Sequence, residues 1–201
     1  MRRTASDIFD EWLVVRAQAG EDAAMRKLVA RWHTRLYRHA RRLVDRAEAA
    51  EDATQEAWLA IVRSVRRLDD PARFGPWAYA IVTNKCRDWV RRQQRGRARG
   101  FDDANAGAVN DLRDERAVHD GSSDERDDAV RAVRAAMREL PSTQRAALAL
   151  HYLDGMNIAE IATALGIPAG TVKSRLHHAR EKLRAILERN ERHQHHERVQ
   201  Q

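Results

Sequence analysis

The stretch that most restricts the fold is NIAEIATALGIPAGTVKSRLHHAREKL, at residues 157–183. Its first part has the apolar spacing of a short amphipathic helix, and Gly166 then permits a sharp backbone turn. After Pro168 a second helix opens at Thr171, with one apolar stripe at steps of four and three residues. Small Ala162 lets the two helices approach closely. This spacing is typical of a helix-turn-helix, whose second helix enters the major groove of DNA.

Charged and polar side chains flank the apolar stripe of that second helix. On its own, the pattern fits any surface helix with a solvated charged face. Preceded by the turn at Gly166, it predicts a recognition helix that enters the groove by its N-terminal end. We predict phosphate contacts from Thr171 and Arg180. The side chains predicted to read bases are Lys173, Ser174, Arg175, His177 and His178.

Composition favours an all-α fold. Of the 201 residues, 33% are charged and only 5% aromatic, while Ala, Arg, Leu and Glu are abundant. The net charge of +7 suits a polyanionic partner without requiring one. The single cysteine, Cys86, excludes an internal disulfide framework and fits a reducing cytoplasm. There is neither an apolar run of membrane-spanning length nor the apolar core of a signal peptide, so we expect a cytoplasmic protein.

Charge patterning divides the chain into two helical parts. Residues 102–128 carry ten acidic residues and three arginines with few large apolar side chains, which predicts a flexible linker. We therefore predict two small helical domains, at 1–95 and 129–190, joined by a flexible acidic linker at 96–128. The polar terminus at 191–201 is predicted to be disordered.

The end of the first part is strongly basic. From Lys85 to Arg99, seven cations accompany one acid, Asp88. A helix opened by Pro76 would have an apolar side that includes Cys86, so this thiol is predicted to be a core residue rather than a nucleophile. The opposite side would form a row of side chains facing phosphates. That row is Asn84, Arg87, Arg91 and Arg95.

The preceding helix, between Glu51 and Leu68, is predicted to bury one apolar stripe. Its acidic and amide side chains lie near the helix start, where carboxylates interact favourably with the helix dipole, and that placement alone would explain them. All five tryptophans fall in the first part, and core packing is the prediction for most of them. The predicted stripe is Trp58, Ile61, Val62, Val65 and Leu68.

Two motifs, in this order along the chain, carry a family resemblance. The first part is similar to one conserved domain of bacterial sigma factors, through Ala50-Glu51-Asp52, Gln55-Glu56, Phe74, Pro76-Trp77, Ile81, Asn84 and the Arg-Asp-x-x-Arg-Arg run at 87–92. LPSTQRAALALHYLDGMNIAEIATALGIPAGTVKSRLHHAREKLR resembles their promoter-upstream-binding domain, particularly in the extracytoplasmic-function (ECF) class of the sigma-70 family. LuxR-type response regulators share a similar helix-turn-helix.

The resemblance implies a factor that binds core RNA polymerase and directs promoter-specific transcription initiation. The helix-turn-helix would read duplex DNA at the −35 element, and the acidic linker would thread into the polymerase. An anti-sigma protein is the expected inhibitory partner. The positions that would dock onto a coiled coil of the polymerase clamp are Asp52, Gln55, Glu56 and Leu59.

The resemblance also implies that the basic helix and the loop before it hold the single strand of the melted −10 element. Asn84, Arg73 and Phe74 are the candidates for reading an extruded base. No catalytic constellation, cofactor site or metal site is predicted, so the chain is not expected to be an enzyme. The full set predicted at the −10 element is Arg73, Phe74, Trp77, Asn84, Arg87, Arg91 and Arg95.

Two other classes of function are open to a chain with these features. A conventional regulator would use the helix-turn-helix alone and dimerise on a palindromic site. That hypothesis leaves unexplained the basic row from Asn84 to Arg95 and the acidic motif from Glu51 to Glu56. A metal-dependent hydrolase would use His193, His195 and His196, which lie in a polar terminus without companion ligands at fixed spacing.

Overall fold

The computed structural model describes residues 4–44, 46–98, 131–133 and 135–199, with the backbone alone at 96–98 and 191–199. The first half folds into helices connected by short turns, with two 3-10 turns at Val65–Arg67 and Pro71–Arg73. Its α-helices are α1 (Ala5–Gln18), α2 (Asp22–Leu43), α3 (Ala47–Ser64) and α4 (Phe74–Ala98).

A helical stretch within 131–138 (α5) opens the second half. It is followed by α6 (Ser142–Tyr152), α7 (Ile158–Leu165) and α8 (Ala169–Val199). Within the described ranges every regular element is helical, which confirms the all-α prediction.

Two helices begin at capping boxes that the sequence encodes locally. The Thr4 hydroxyl accepts from the backbone N–H of Asp7, whose carboxylate accepts from the backbone N–H of Thr4. Asn157 and Glu160 make the same reciprocal pair at the start of α7. Each box satisfies two backbone donors that a helix start would otherwise leave unpaired.

Three predicted helix starts lie two to four residues too late. The helix α8 begins two residues before Thr171, and α3 begins at Ala47 rather than near Glu51. The helix α4 begins at Phe74 rather than Pro76. Proline lacks a backbone donor that the first turn does not use, so Pro76 fits inside that turn.

The core includes several of the side chains that the sequence predicted to be buried. Trp32 and Trp58 are each 8% exposed, as predicted for core residues, and Cys86 is also buried. Trp12, by contrast, is 45% exposed and lies under the Arg16 guanidinium. Val62 was placed in the buried stripe of α3 but is 50% exposed, because it lies one residue around the helix from buried Ile61.

The two halves pack against each other. The helix α7 lies on α4, and α6 lies on α2. Val82 and Cys86 of α4 belong to the same cluster of buried apolar residues as Ile161 and Leu165 of α7. We call this packing the closed arrangement. The sequence predicted two domains but not the contact between them.

Two predicted segments fall at the edges of what the structure describes. Residues 99–130 lie outside the described residues, so only 96–98 of the predicted linker at 96–128 is described, and it continues α4. The backbone of α8 is helical to Val199, whereas residues 191–201 were predicted to be disordered. No proline or glycine follows Gly170 to interrupt that helix. No helix in the described ranges is long and apolar enough to cross a membrane.

Candidate nucleic-acid interface

The turn between α7 and α8 has the geometry of a helix-turn-helix. Gly166 ends α7 in the left-handed region, at φ 57° and ψ 46°. Its N–H donates to Thr163 O, and the N–H of Ile167 donates to Ala162 O, so the last carbonyls of α7 are satisfied. Because glycine has no Cβ, it adopts this conformation without strain. Pro168 follows, and α8 begins one residue later.

The exposed face of α8 carries most of the residues predicted to contact the −35 element. Val172, Leu176 and Ala179 are buried beneath it, which fixes the rotation of the helix. Thr171 and Arg175 are partly buried, and Ser174 donates back to the Thr171 carbonyl. Arg180 is exposed at one edge. The exposed members of the predicted set are Lys173, Ser174, His177, His178 and Arg180.

Two histidines on this face contact one carboxylate. His177 Nε2 and His178 Nδ1 lie 3.4 Å and 3.8 Å from Glu181 Oε2. Their ligand atoms all lie within 4.8 Å of one another, so the trio could hold a divalent cation. All three side chains are 61–63% exposed. A cation there would remain largely hydrated, and the i,i+3 and i,i+4 spacings on the helix are sufficient to explain the contacts.

The basic row predicted on α4 lies on one exposed face. Asn84, Arg87, Arg91 and Arg95 are all exposed, opposite buried Val82 and Cys86. The row spans about 16 Å along the helix axis, which matches several consecutive phosphates. Arg91 also pairs with Asp88 at 2.6 Å. Burial raises the pKa of the Cys86 thiol to about 12, so it stays protonated as a core residue.

The three predicted residues at the start of α4 differ in exposure. Arg73 is exposed, and Trp77 is partly buried. Phe74 is 2% exposed and packs edge-on against Trp32, with ring centroids 5.3 Å apart. Phe74 is therefore a core residue directly after the 3-10 turn at Pro71–Arg73. The Asp70 carboxylate stabilises that turn by accepting a hydrogen bond from the Ala72 N–H at 3.0 Å.

The four residues predicted to bind polymerase line one groove of about 320 Å³ between α3 and α4. Asp52, Gln55 and Leu59 are exposed, and Leu59 is 57% exposed despite being apolar. Glu56 pairs with Lys85 at 3.1 Å and lies 3.6 Å from Arg92. The sequence did not identify Trp89 and Arg92 as the far wall of this groove.

Sequence reasoning also missed the polar contacts between the two halves. Tyr79 on α4 donates its hydroxyl to Asp154 Oδ1 at 2.8 Å, and Arg42 on α2 lies 3.9 Å from Asp154 Oδ2. Burial and the Asp154 carboxylate together raise the pKa of Tyr79, so the phenol keeps its proton. The guanidinium of Arg87 donates to the Leu165 carbonyl at the end of α7. The partners lie far apart in sequence, and no periodic pattern signals them.

A helix-turn-helix with an exposed polar helix, packed on a domain with a second basic helix, defines a two-domain DNA-binding protein. Two family models match this division. The model for sigma-70 region 2 matches residues 28–96, and the model for sigma-70, region 4 matches residues 130–183.

Curated relatives extend the match across both halves. The ECF RNA polymerase sigma factor SigM of Mycobacterium tuberculosis (H37Rv) is 35% identical over 178 residues, covering 89% of this chain and 84% of SigM. The RNA polymerase sigma-H factor of Pseudomonas aeruginosa is 30% identical, covering 89% and 94%. SigE of Mycolicibacterium smegmatis is 36% identical over 84% of this chain, which spans 64% of that relative's length.

Solved structures show the same architecture. CnrH, in complex with the cytosolic domain of CnrY, aligns with a TM-score of 0.59 and 25% identity over 90% of this chain and 97% of that chain. The Bartonella quintana sigma factor RpoE, in complex with the anti-sigma factor NepR, shares the fold with a TM-score of 0.62 and 21% identity, over 81% and 96% of the two chains. The chain belongs to the sigma-70 family, in the ECF class, which confirms the resemblance.

Proposed function

We propose that this chain binds core RNA polymerase and directs promoter-specific initiation through a −35 and a −10 element. The observation that carries the proposal is the presence, in one chain, of both sigma domains, each with an exposed surface suited to its task. One surface is the polar face of α8, and the other is the basic row of α4 beside the groove at Asp52.

At the −35 element, α8 enters the major groove with its N-terminal turns foremost. Lys173, Ser174, His177 and His178 project from one face and meet base edges. Thr171 and Arg180 contact phosphates on either side. Arg175 is partly buried in the closed arrangement. It can therefore contact bases only after α4 moves away from it.

At the −10 element, the row on α4 tracks the backbone of the opened strand. Opening duplex DNA costs about 1.4 kcal/mol for each stacked step, so captured bases must supply compensating contacts. Asn84 and Arg73 are the exposed candidates for this capture. Trp77 lies two helical turns before Asn84 on the same side of α4 and can stack on a base. Phe74 takes part only if it leaves its buried site.

The polymerase contact uses the groove that Asp52, Gln55, Glu56 and Leu59 line. Its exposed leucine offers apolar contact at the centre, and its carboxylates and amide offer a polar rim, as in other protein interfaces. An anti-sigma protein is the second proposed partner. Its support comes from two structural neighbours that were solved as complexes, CnrH with CnrY and RpoE with NepR.

Run-off transcription with bacterial core polymerase on a pool of genomic promoters tests this function. Transcripts that require the chain and share an upstream and a downstream motif at fixed spacing are the expected result. Leu59→Asp should abolish them, whereas Val133→Asp, also at an exposed apolar residue but in the other half, is the control for loss of solubility.

The competing hypothesis predicts a different result. If the chain did not bind core polymerase but bound duplex DNA alone as a dimer, its function would be better explained as that of a conventional regulator. A hydrolase that used the terminal histidines would instead lose its activity when residues 191–201 are removed.

A further inference from the structure

Three metal-ligating side chains converge on the proposed DNA-reading face of α8. His177 Nε2 and His178 Nδ1 lie 3.4 Å and 3.8 Å from Glu181 Oε2, and the ligand atoms of all three residues lie within 4.8 Å of one another. Around a tetrahedral ion with bonds of about 2.1 Å, neighbouring ligand atoms are about 3.4 Å apart. The three side chains therefore need only small rotations to close around one ion.

The backbone that carries these ligands is already fixed. Leu176 and Ala179, which flank the two histidines, are 5% and 0% exposed, so their burial sets the rotation of α8. Spacings of three and four residues then place the imidazoles beside the carboxylate. An ion binds to such a helix without the entropic cost of ordering a loop.

Two imidazoles and one carboxylate form a donor set that favours late first-row transition metals. Imidazole nitrogens suit Zn²⁺, Ni²⁺ and Cu²⁺, whereas Mg²⁺ and Ca²⁺ prefer ligands that are all oxygen. Zinc sites with two histidines and one glutamate keep a fourth position for water. The three side chains are 61–63% exposed, which leaves room for that water.

Nearby cations limit the affinity of this site. Lys173 lies four residues before His177, and Lys182 lies four residues after His178, so each ammonium group is one helical turn from an imidazole. Repulsion between these groups and a dication weakens binding. We therefore expect reversible occupancy that follows the concentration of free metal, in contrast to closed four-ligand sites that a fold requires.

We propose that His177, His178 and Glu181 bind a late first-row transition-metal ion, with Zn²⁺ as the probe, and that the bound ion prevents the two histidines from reading the −35 element. The second part rests on the proposed function; the metal site does not.

Competition follows from the shared ligand atoms. An imidazole nitrogen that coordinates an ion cannot contact a base edge at the same time, so metal and specific DNA each lower the affinity for the other by the same factor. The charge of the ion, by contrast, attracts every duplex alike. The lost contacts therefore appear in the ratio of the affinities for a −35 duplex and a scrambled duplex.

Equilibrium dialysis of the full-length chain against Zn²⁺ at neutral pH tests the metal site. The background chain carries glutamine at the three histidines of the polar terminus, so that their imidazoles do not bind the probe. In this background we expect each of three substitutions to weaken zinc binding by at least about tenfold. They are His177→Gln, His178→Gln and Glu181→Gln.

Two matched controls make the same chemical changes elsewhere. His33→Gln removes an exposed imidazole from α2, and Glu188→Gln removes a carboxylate from α8 two turns beyond Glu181. Both should leave zinc affinity unchanged within about twofold. Equal zinc affinities in the background chain and in all three site variants would overturn the proposal.

Fluorescence anisotropy tests the competition with DNA. The −35 duplex carries the upstream motif recovered by run-off transcription, and the scrambled duplex has the same composition. Zn²⁺ should lower the ratio of the two affinities by at least about fivefold, which corresponds to one lost base contact. The effect of Zn²⁺ should disappear in Glu181→Gln, which removes a metal ligand but no predicted DNA contact, and should persist in Glu188→Gln.

The two measurements fail in distinguishable ways. An unchanged affinity ratio in the presence of bound zinc overturns the second part of the proposal, and so does a zinc effect that persists in Glu181→Gln. If the metal-free chain does not distinguish the two duplexes, the proposed reading of the −35 element fails and the second part falls with it. The dialysis result decides on the metal site in either case.

Discussion

His39 is a fully buried ionisable residue on α2, and its hydrogen bonding fixes its tautomer. Its Nε2 lies 2.9 Å from the Thr83 hydroxyl, which donates its own proton to the Tyr79 carbonyl. His39 Nε2 must therefore be the donor, and Nδ1 has no partner. Protonation would place a charge at this unpartnered nitrogen. Burial, with a smaller contribution from Arg42, lowers the pKa of His39 to about 3.

This shift makes the stability of the fold depend on pH. Between about pH 6.5 and 3 the unfolded chain binds a proton that the folded chain does not, so acidification favours unfolding. From pH 7 to pH 5 the free energy of unfolding should fall by about 2 kcal/mol through this residue. Urea unfolding at both pH values measures it. The fall should be smaller in His39→Gln and unchanged in His33→Gln, an exposed histidine on the same helix. An identical fall in the unmodified chain and in both variants would contradict the assignment of this pH dependence to His39.

Lys173 is the residue whose contact with DNA can be most directly classified. If it reads a base, Lys173→Ala should weaken binding to the −35 duplex by about 1–3 kcal/mol and relax specificity at one position. If it contacts a phosphate, all sequences should weaken alike and the salt slope should fall by about one. Lys182→Ala removes the same charge from another side of α8. Equal effects of the two substitutions would exclude a specific role for Lys173.

Among the helices, those with local signals were the most predictable. The turn at Gly166 and the apolar stripe of α8 follow from residue type and spacing, and the structure has both. The start of α4 was misplaced because Pro76 is a strong signal, while the true constraint lies in tertiary packing. A Cβ at Gly75 would lie 2.9 Å from the Trp32 ring, so the first turn of α4 approaches α2 closely. No short stretch of sequence encodes that approach.

Gly166→Ala and Gly170→Ala should have opposite effects on stability. Gly166 has φ +57°, where a Cβ costs about 1–2 kcal/mol, and the new methyl would crowd Arg87. Gly170 lies in α8 with nothing within 4 Å of a new Cβ, so alanine there should stabilise the helix by about 0.5–1 kcal/mol. Urea unfolding of both variants measures the signs, and a stabilising Gly166→Ala would refute the left-handed turn.

The long C-terminal part of α8 is expected to be dispensable for the proposed function. Residues 191–201 lie beyond the predicted DNA contacts and beyond Ile186, the last buried apolar residue described on α8. A chain ending at residue 190 should support run-off transcription as well as the full chain does. A large loss of transcripts, with unchanged thermal stability, would instead assign this segment a direct role.

For the molecule as a whole, the sequence predicts two helical parts, which the structure has, but it does not predict how the parts meet. Composition and charge separate two helical halves, and both match their family models. The polar contacts between them come from Tyr79, Asp154 and Arg87, which are single residues rather than members of a repeated pattern. The predicted polymerase groove could be found only through the resemblance, because the sequence alone explained its acids by a helix start near Glu51. The helix α3 in fact begins at Ala47, which leaves Asp52 and Glu56 beyond its first turn.

The closed arrangement predicts that both halves unfold together. All five tryptophans lie in the first half, so their fluorescence reports that half, whereas far-UV circular dichroism reports helices in both. The two urea transitions should coincide in the unmodified chain, because the shared interface couples them. Separate transitions in the unmodified chain would show that the halves are energetically independent.

The meeting of Arg87 with the helix-turn-helix has a consequence for how such a factor finds its target in a cell. A chromosome offers about 10⁶–10⁹ competing non-specific sites, and a chain with two uncovered cationic surfaces would spend most of its time trapped on them. On the proposed function, the hydrogen bond from Arg87 to the Leu165 carbonyl would leave one cation fewer free for such sites. It would thereby shorten the time that the unoccupied factor spends on them.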